Sequence, residues 1–454
     1  MMETDDDCNR QGAGVAARPR WFAFGFNAFG QLGPSGSDPR ELCVTRPRRL
    51  TLGAHETGER RDDEERQRQE EEGEEEGGED EREDEQAVVD VAPAWGSAAL
   101  RGSRDVCVQG FAQGGRAGPT RVPLADGAQQ LACNDSCLVL VTHACAQVWE
   151  WSLALLPPED LHENARPLWD MPLLSGAKEA PAVLPLVPGG YVDLRPPFFH
   201  PLPELAGGVR ALQLALGREH VLLLTDDGTV WGWGPGRHGQ QGHGTTEAEV
   251  APRPVEGLQG LPMVGVAAGG WHSVALSRGG DVYTWGWNEA GQLGLPSKRG
   301  LGEGSNSPKR CNLHGRENDC SLVPPSDANK QQHGCGTDEE REPQDVSHGE
   351  KGESQKTGTQ YISIQAFPAL LDFPGDDEIS AVATGSRHTV ALTKCGKLYT
   401  WGWGEHGQLG HGSRRSWDEP QHVEFFCQHS LEVVAVRCGD WSTFAMARPM
   451  PSNK

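Results

Sequence analysis

Short stretches such as HSVALS (272–277) and HTVALT (388–393) alternate polar with aliphatic or β-branched residues, the period of a strand with two different faces. Each runs through a Gly-containing turn into a second apolar stretch, GGDVYTW and CGKLYTW. The pattern therefore predicts strand–turn–strand units, not helices. A Trp-Gly-Trp triplet and a Gly-Gln-x-Gly phrase close each unit, as in VYTWGWNEAGQLG (282–294) and LYTWGWGEHGQLG (398–410).

These units recur. Aligned on 215–244, 267–295 and 383–412, an anchor glycine (Gly217, Gly269, Gly385) precedes a histidine by three residues (His220, His272, His388), and a turn glycine (Gly228, Gly280, Gly396) follows. Weaker copies lie at 131–142, with Cys137 in the His column, and at 93–110. RCGDWSTFAMA (437–447) carries only the first half of a unit. WFAFGFNAFGQLG (21–33) carries only the second half. The two halves complete one another if the units form a closed ring in which 21–33 pairs with the strand at 441–447. An open solenoid would instead need caps. Anchor spacings of 52 residues (217 to 269) and 54 (385 to 439) are blade-sized. Six units are visible and a seventh fits in 155–205. The expected architecture is an all-β propeller of seven four-stranded blades, or six if 155–205 holds none.

Charge and composition alter this little. Half of the net charge of −24 comes from 61–86, where 16 acids face 4 arginines. The acidic run at 55–86 and the polar, Gly- and Ser-rich stretch at 297–358 are expected to be disordered insertions in a propeller spanning 21–447, with 1–20 a disordered N-terminus and 448–454 a tail. MMETDDDCNR lacks the apolar core of a secretory signal. Scattered cysteines, among them Cys107, Cys395 and Cys438 in apolar runs, fit free thiols in a reducing compartment.

The G-x-x-H, turn-Gly, W-G-W and G-Q-L-G columns resemble the regulator-of-chromosome-condensation repeat, the seven-bladed β-propeller family of the Ran exchange factor. AAGGWHSV, WGWNEAGQL, FPALLDFP and GSRHT narrow the likeness to members with divergent N-terminal blades. That resemblance implies a nuclear, chromosome-associated adaptor or cofactor of a JmjC-domain histone demethylase or hydroxylase, with a role in chromosome segregation. It also implies histones as further partners. The competing implication is guanine-nucleotide exchange on a small GTPase. No sequence-specific nucleic-acid binding, membrane contact or cofactor is expected, and the chain alone is expected to be a monomer.

No Ser/His/Asp or paired-carboxylate arrangement stands out, so no enzyme is expected. His220, His272 and His388 fall in different blades and read as buried residues bonded to neighbouring backbone carbonyls, locking blades, rather than as a metal site. Cys311, His314, Cys320, His333 and Cys335 have the residue types of a zinc site but irregular spacing. Cys133, Cys137 and Cys145 read as packing. The W-G-W residues Trp231, Trp233, Trp285, Trp287, Trp401 and Trp403 read as wedges between blades. Two residues beyond the anchor lie Trp95, Ser136, Glu219, Trp271, Arg387 and Trp441. Ring closure puts Trp271, Arg387, Trp441 and Trp95 on successive blades, an arc of the residue types that anchor protein interfaces. The other reading of that column tucks its rings down between blades.

Overall fold

The computed structural model describes residues 18–33, 42–52, 87–103, 105–111, 119–156, 166–173, 183–203, 208–297, 361–375 and 377–451. The insertions expected at 55–86 and 297–358, and the five-residue Cys/His set at 311–335, lie outside these residues except for Ser297. That residue is fully buried, and its backbone N–H and hydroxyl both donate to Asp418 Oδ2, at 2.8 and 3.2 Å. The ordered chain thus extends one residue into the second expected insertion.

Seven antiparallel sheets follow one another along the chain. Blade 1 comprises Asp90–Pro93, Ser97–Arg101, Val106–Gly110 and Thr120–Arg121. Blade 2 comprises Gln130–Cys133, Cys137–Val141, Cys145–Glu150 and Trp169–Pro172. Blade 3, at Leu186–Val187, Gly190–Val192 and Phe199–Pro201, occupies the stretch where a seventh unit was expected. It has three strands, not four, among the described residues. Blade 4 runs Ala211–Leu216, Val221–Thr225, Val230–Gly234 and Glu249–Pro254. Blade 5 runs Met263–Ala268, His272–Ser277, Val282–Trp287 and Ile364–Leu371. Blade 6 runs Ile379–Thr384, His388–Thr393, Leu398–Gly402 and Trp417–His422.

Blade 7 is built from both ends of the chain. Leu431–Cys438 and Ser442–Pro449 supply its inner strands, and Arg20–Phe26 and Cys43–Arg49 its outer ones. Arg20–Phe26 pairs with Ser442–Pro449 from Arg20 opposite Ala447 to Gly25 opposite Ser442. The last strand continues past 447, with Arg448 opposite Glu432 and Pro449 opposite Leu431. Arg20 likewise already belongs to a strand.

The core is divided among the interfaces between blades. One cluster joins Leu138 and Trp151 to Ala99 and Val108 across blades 1 and 2. Another joins Leu222 and Leu224 to Val266 and Trp285 across blades 4 and 5. The largest joins Val390 and Leu398 of blade 6 to Trp21, Phe24 and Phe444 of blade 7, and these to Val91 and Leu100 of blade 1, so it closes the ring. Burying apolar side chains between neighbouring sheets is the main driving force for such closure.

Deleting residues 1–33 removes a strand and the fully buried Phe24 from that seam. Loss of a buried Phe side chain alone costs about 3–5 kcal/mol. At about 2 °C per kcal/mol or somewhat less for so large a ring, that side chain alone lowers the melting temperature of the whole domain by several degrees, and loss of the strand lowers it further. Calorimetry showing full-length melting for the truncated chain would refute the closure.

Candidate functional site: an aromatic arc around the axial mouth

In these up-and-down sheets the turn between the first and second strands and the loop between the third and fourth emerge on one face of the ring. The site on that face is held by a hydrogen-bond circuit repeated at three successive interfaces. His220 of blade 4 bonds through Nε2 to Ser273 Oγ of blade 5 (2.8 Å), and that hydroxyl donates back to the Gln240 carbonyl of blade 4 (2.6 Å). His272, Thr389 and Gln292 repeat it at 2.9 and 2.7 Å. His388, Thr443 and Gln408 do so at 3.0 and 2.8 Å. A hydroxyl whose proton goes to a carbonyl must accept from the imidazole, which sets the Nε2–H tautomer. The Gln side chain holds its own loop by accepting a backbone N–H, as Gln240 does from His238 (2.9 Å). Its carbonyl is thereby presented to the next blade.

The anchor glycine follows from the same geometry. A Cβ on Gly217 or Gly269 would stand 2.5 Å from Nδ1 of its own His. It would also stand 2.8 or 2.7 Å from the neighbouring anchor carbonyl, Gly269 or Gly385. Where the His position carries a smaller side chain, as with Ser97 and Cys137, the anchor becomes Ala94 and Asn134. Each of the three histidines bonds a hydroxyl of the next blade, not the backbone carbonyl expected from the sequence.

The W-G-W triplet splits into two roles. Trp285 and Trp401 are fully buried, and their indole N–H groups donate to the Gln240 and Gln292 carbonyls, at 2.8 and 3.1 Å. Phe24 fills this position in blade 7. Trp231 is half-buried, and its N–H has no partner among the described residues. The middle glycine, Gly286, has φ +106° and sits at a register shift of the ladder. Such a bulge re-aims the residue after it. Trp287 and Trp403 therefore emerge half-buried on the face instead of wedging between blades, while Trp233 is buried beside Tyr191.

The emerging rings form one chain of contacts. Arg218 lies 5.7 Å from the Trp271 ring, and Trp271 meets Trp287 edge-on at 5.5 Å. Arg387 bridges Trp287 (4.7 Å) and Trp403 (5.6 Å), and also reaches Glu289 at 3.9 Å. Trp403 meets Trp441 at 4.7 Å and His406 at 4.9 Å. His406 meets Phe26 at 5.1 Å, and Phe26 stacks near Trp95 at 6.2 Å. Phe29 contacts Trp95 and Phe111, the latter 43% exposed. Burial pushes His406 down, helped by Arg414, so its ring is neutral in the cluster.

All four residues singled out from the sequence thus lie in one arc, but Trp95 arrives from a different column. Phe111 N–H bonds the Gly96 carbonyl, as Trp287 N–H bonds that of Trp271 and Trp403 N–H that of Arg387. Gly96, not Trp95, is the equivalent of Trp271, a one-residue slip that an ungapped alignment hides. Of the other members of that column, Ser136 is exposed and Glu219 is paired with Arg237 at 2.5 Å. Trp287, Trp403, Phe29, His238 and His406 were missed as surface residues, and the buried Phe26 as their link to Trp95. Their signals were the glycine within W-G-W and the residue before Gly-Gln, which is His238, His406 or Phe29 in three blades and the buried Ala290 in blade 5. Of the cysteines read as packing, Cys133 and Cys137 are buried and Cys145 half-buried. Burial pushes the Cys133 thiol up to about 12.

The arc borders the axial mouth, a cavity of about 430 Å³ to which all seven blades contribute. Its charged residues are Asp135, Asp193, Arg195, Arg218 and Asp440. Arg195 pairs with Asp193 at 3.1 Å.

Fold and site together define a closed, seven-bladed repeat propeller with an aromatic face. Residues 227–276, 279–317 and 395–446 match the Regulator of chromosome condensation (RCC1) repeat. The chain is 38% identical over 446 residues to RCC1 domain-containing protein 1 of Mus musculus, covering 94% of this chain and 96% of that one. With the Homo sapiens protein of the same name it shares 44% over 316 residues, 67% of this chain and 74% of that one. Prp20p from Saccharomyces cerevisiae, a protein with binding properties to Gsp1p and histones, superposes with a TM-score of 0.59 at 18% identity, covering 96% and 94% of the two chains. The chain belongs to the RCC1-repeat propeller family.

Two predictions follow from the circuit. Thr389→Val strands a buried imidazole N–H and leaves the Gln292 carbonyl with the Trp401 N–H alone, and should cost about 1–3 kcal/mol in denaturant unfolding. Burial also lowers all three circuit histidines from 6.5 to about 3. The unfolded chain then binds more protons than the folded one, so stability present above pH 6.5 is lost as pH falls from about 6.5 toward 3. Each site contributes a slope of up to about 1.4 kcal/mol per pH unit. Melting temperatures measured from pH 7 to 5 should fall steeply, and a flat profile would contradict the neutral assignment.

Proposed function

We propose that the propeller is a non-catalytic platform for protein partners, working on chromatin in the nucleus as an adaptor or cofactor of a JmjC-domain oxygenase. One observation carries the platform reading: Trp271, Trp287, Arg387, Trp403 and Trp441 form a continuous half-buried strip on a rigid ring. Trp and Arg are enriched at interface hot spots, and a strip already ordered by its neighbours loses little entropy on binding. The oxygenase partner and a part in chromosome segregation rest on the family resemblance. Histones as partners are supported by the likeness to Prp20p, whose Gsp1p binding equally supports the alternative of nucleotide exchange on a small GTPase.

Trp271→Ala combined with Arg387→Ala should weaken partner binding by more than ~10-fold, the range of a hot spot. The melting temperature should stay near wild type, because neither side chain belongs to the buried apolar cores between blades. The full chain is immobilised, incubated with nuclear extract, and its captured proteins are identified by mass spectrometry. A JmjC oxygenase held by the wild type and lost from the variant is the expected result. Capture of a small GTPase that added nucleotide releases would replace this reading with exchange.

A further inference from the structure

The axial mouth has an unbalanced charge. Among the described residues, neither Asp135 nor Asp440 makes an ion pair. Asp135 Oδ1 accepts the Gly96 N–H at 3.0 Å, while the Asp440 carboxylate takes no hydrogen bond; both residues are half-buried and line the cavity. Arg195 is spent on Asp193. Arg218, lying against the Trp271 ring, is the one cation left to face two carboxylates. Burial pushes the Asp440 carboxyl up against the pull of Arg218, and Asp135 adds to the rise. Partly desolvated carboxylates that open into a cavity and lack a paired cation favour the approach of one.

The surroundings limit what that cation can be. A cavity of about 430 Å³ is near the small end of ligand sites, room for one long side chain rather than a folded element. Leu194 and Leu216 continue from the mouth into a larger cavity of about 830 Å³, lined also by Leu131, Leu214 and Val264, with Asp90 and Arg437 among its lining residues. Apolar walls beside the carboxylates suit the methylene stem of a lysine or arginine. Trp95 lines the mouth and belongs to the arc, and Arg218 touches both. A chain lying on the arc therefore passes the opening.

We infer that the axial mouth receives one lysine or arginine side chain from an extended segment of the protein partner, with Asp440 and Asp135 as its counter-charges and the aromatic arc holding the flanking residues. This rests on the platform reading and specifies its chemistry.

The test uses the full chain with an array of 15-residue peptides tiling the four core histones as basic, extended probes. Wild type, Asp135→Asn/Asp440→Asn and Trp271→Ala/Arg387→Ala are compared, each first checked for wild-type melting. The acidic run at 55–86 is intact in all three, so attraction to it cancels. The expected result is a subset of peptides whose binding depends on a single Lys or Arg, is lost on its replacement by norleucine, and weakens at least ~10-fold in the Asp double variant. Binding that needs the arc but is unchanged in the Asp variant overturns this inference and leaves the platform reading standing. Binding unchanged in both variants overturns both. No peptide bound by the wild type also overturns the inference.

Discussion

One hydroxyl, placed between a histidine and a carbonyl of the preceding blade, is the contact on which this ring depends. Ser273, Thr389 and Thr443 each accept from the His and donate to the Gln carbonyl of the blade before. Two blades are thereby tied at two points through one buried atom. A buried polar group is stabilising only when fully partnered, which is why the columns come as a set. Gly makes room for His, His needs the hydroxyl, the hydroxyl needs the carbonyl, and the Gln side chain fixes that carbonyl in place. The set is complete at the interfaces from blade 4 to blade 7. Elsewhere other contacts stand in, such as Gln109 to the Thr51 carbonyl at 3.1 Å and Cys133 Sγ to the Ala92 carbonyl at 3.1 Å.

The aromatic face is a by-product of the same geometry. The circuit holds the first-to-second-strand turn of one blade against the third-to-fourth-strand loop of its neighbour. Side chains from those two segments are then forced to meet, and where they are large they build the arc. Arg387 between Trp287 and Trp403 is the clearest case, one cation spanning rings from two blades. The arc coincides with the blades that carry the full circuit and with the seam at blade 7, and it fades at blades 2 and 3, where the columns are degenerate. Asp440 and Asp135 lie at the mouth because the residues following the inner strands converge on the axis.

Much of this was legible in the chain because repeats expose their own grammar. The split unit, second half at 21–33 and first half at 437–447, led to closure before any contact was known. Blade 3 was legible only as a gap, since its short strands lack the G-x-x-H and W-G-W phrases. The role of Trp287 was hidden because a two-residue spacing reads as the same face of a strand, until a φ-positive Gly286 inserts a bulge. Trp95 was placed in the right region through the wrong column, because the turn between the second and third strands of blade 1 is one residue shorter than that of blade 5. The hydroxyl partner of each His was out of reach, since it is separated by 53 to 117 residues in sequence.

The central claim is that partners bind across this face, over the arc and the mouth. Amide hydrogen exchange of the full chain, followed by mass spectrometry with and without the protein partner captured from nuclear extract, addresses it most directly. New protection is predicted in the segments 93–96, 269–272, 385–388 and 439–442 and in the loops that carry His238 and His406, with the outer strands unchanged. Protection confined to the outer strands or to the opposite face, with these loops exchanging as in the free chain, would contradict the account.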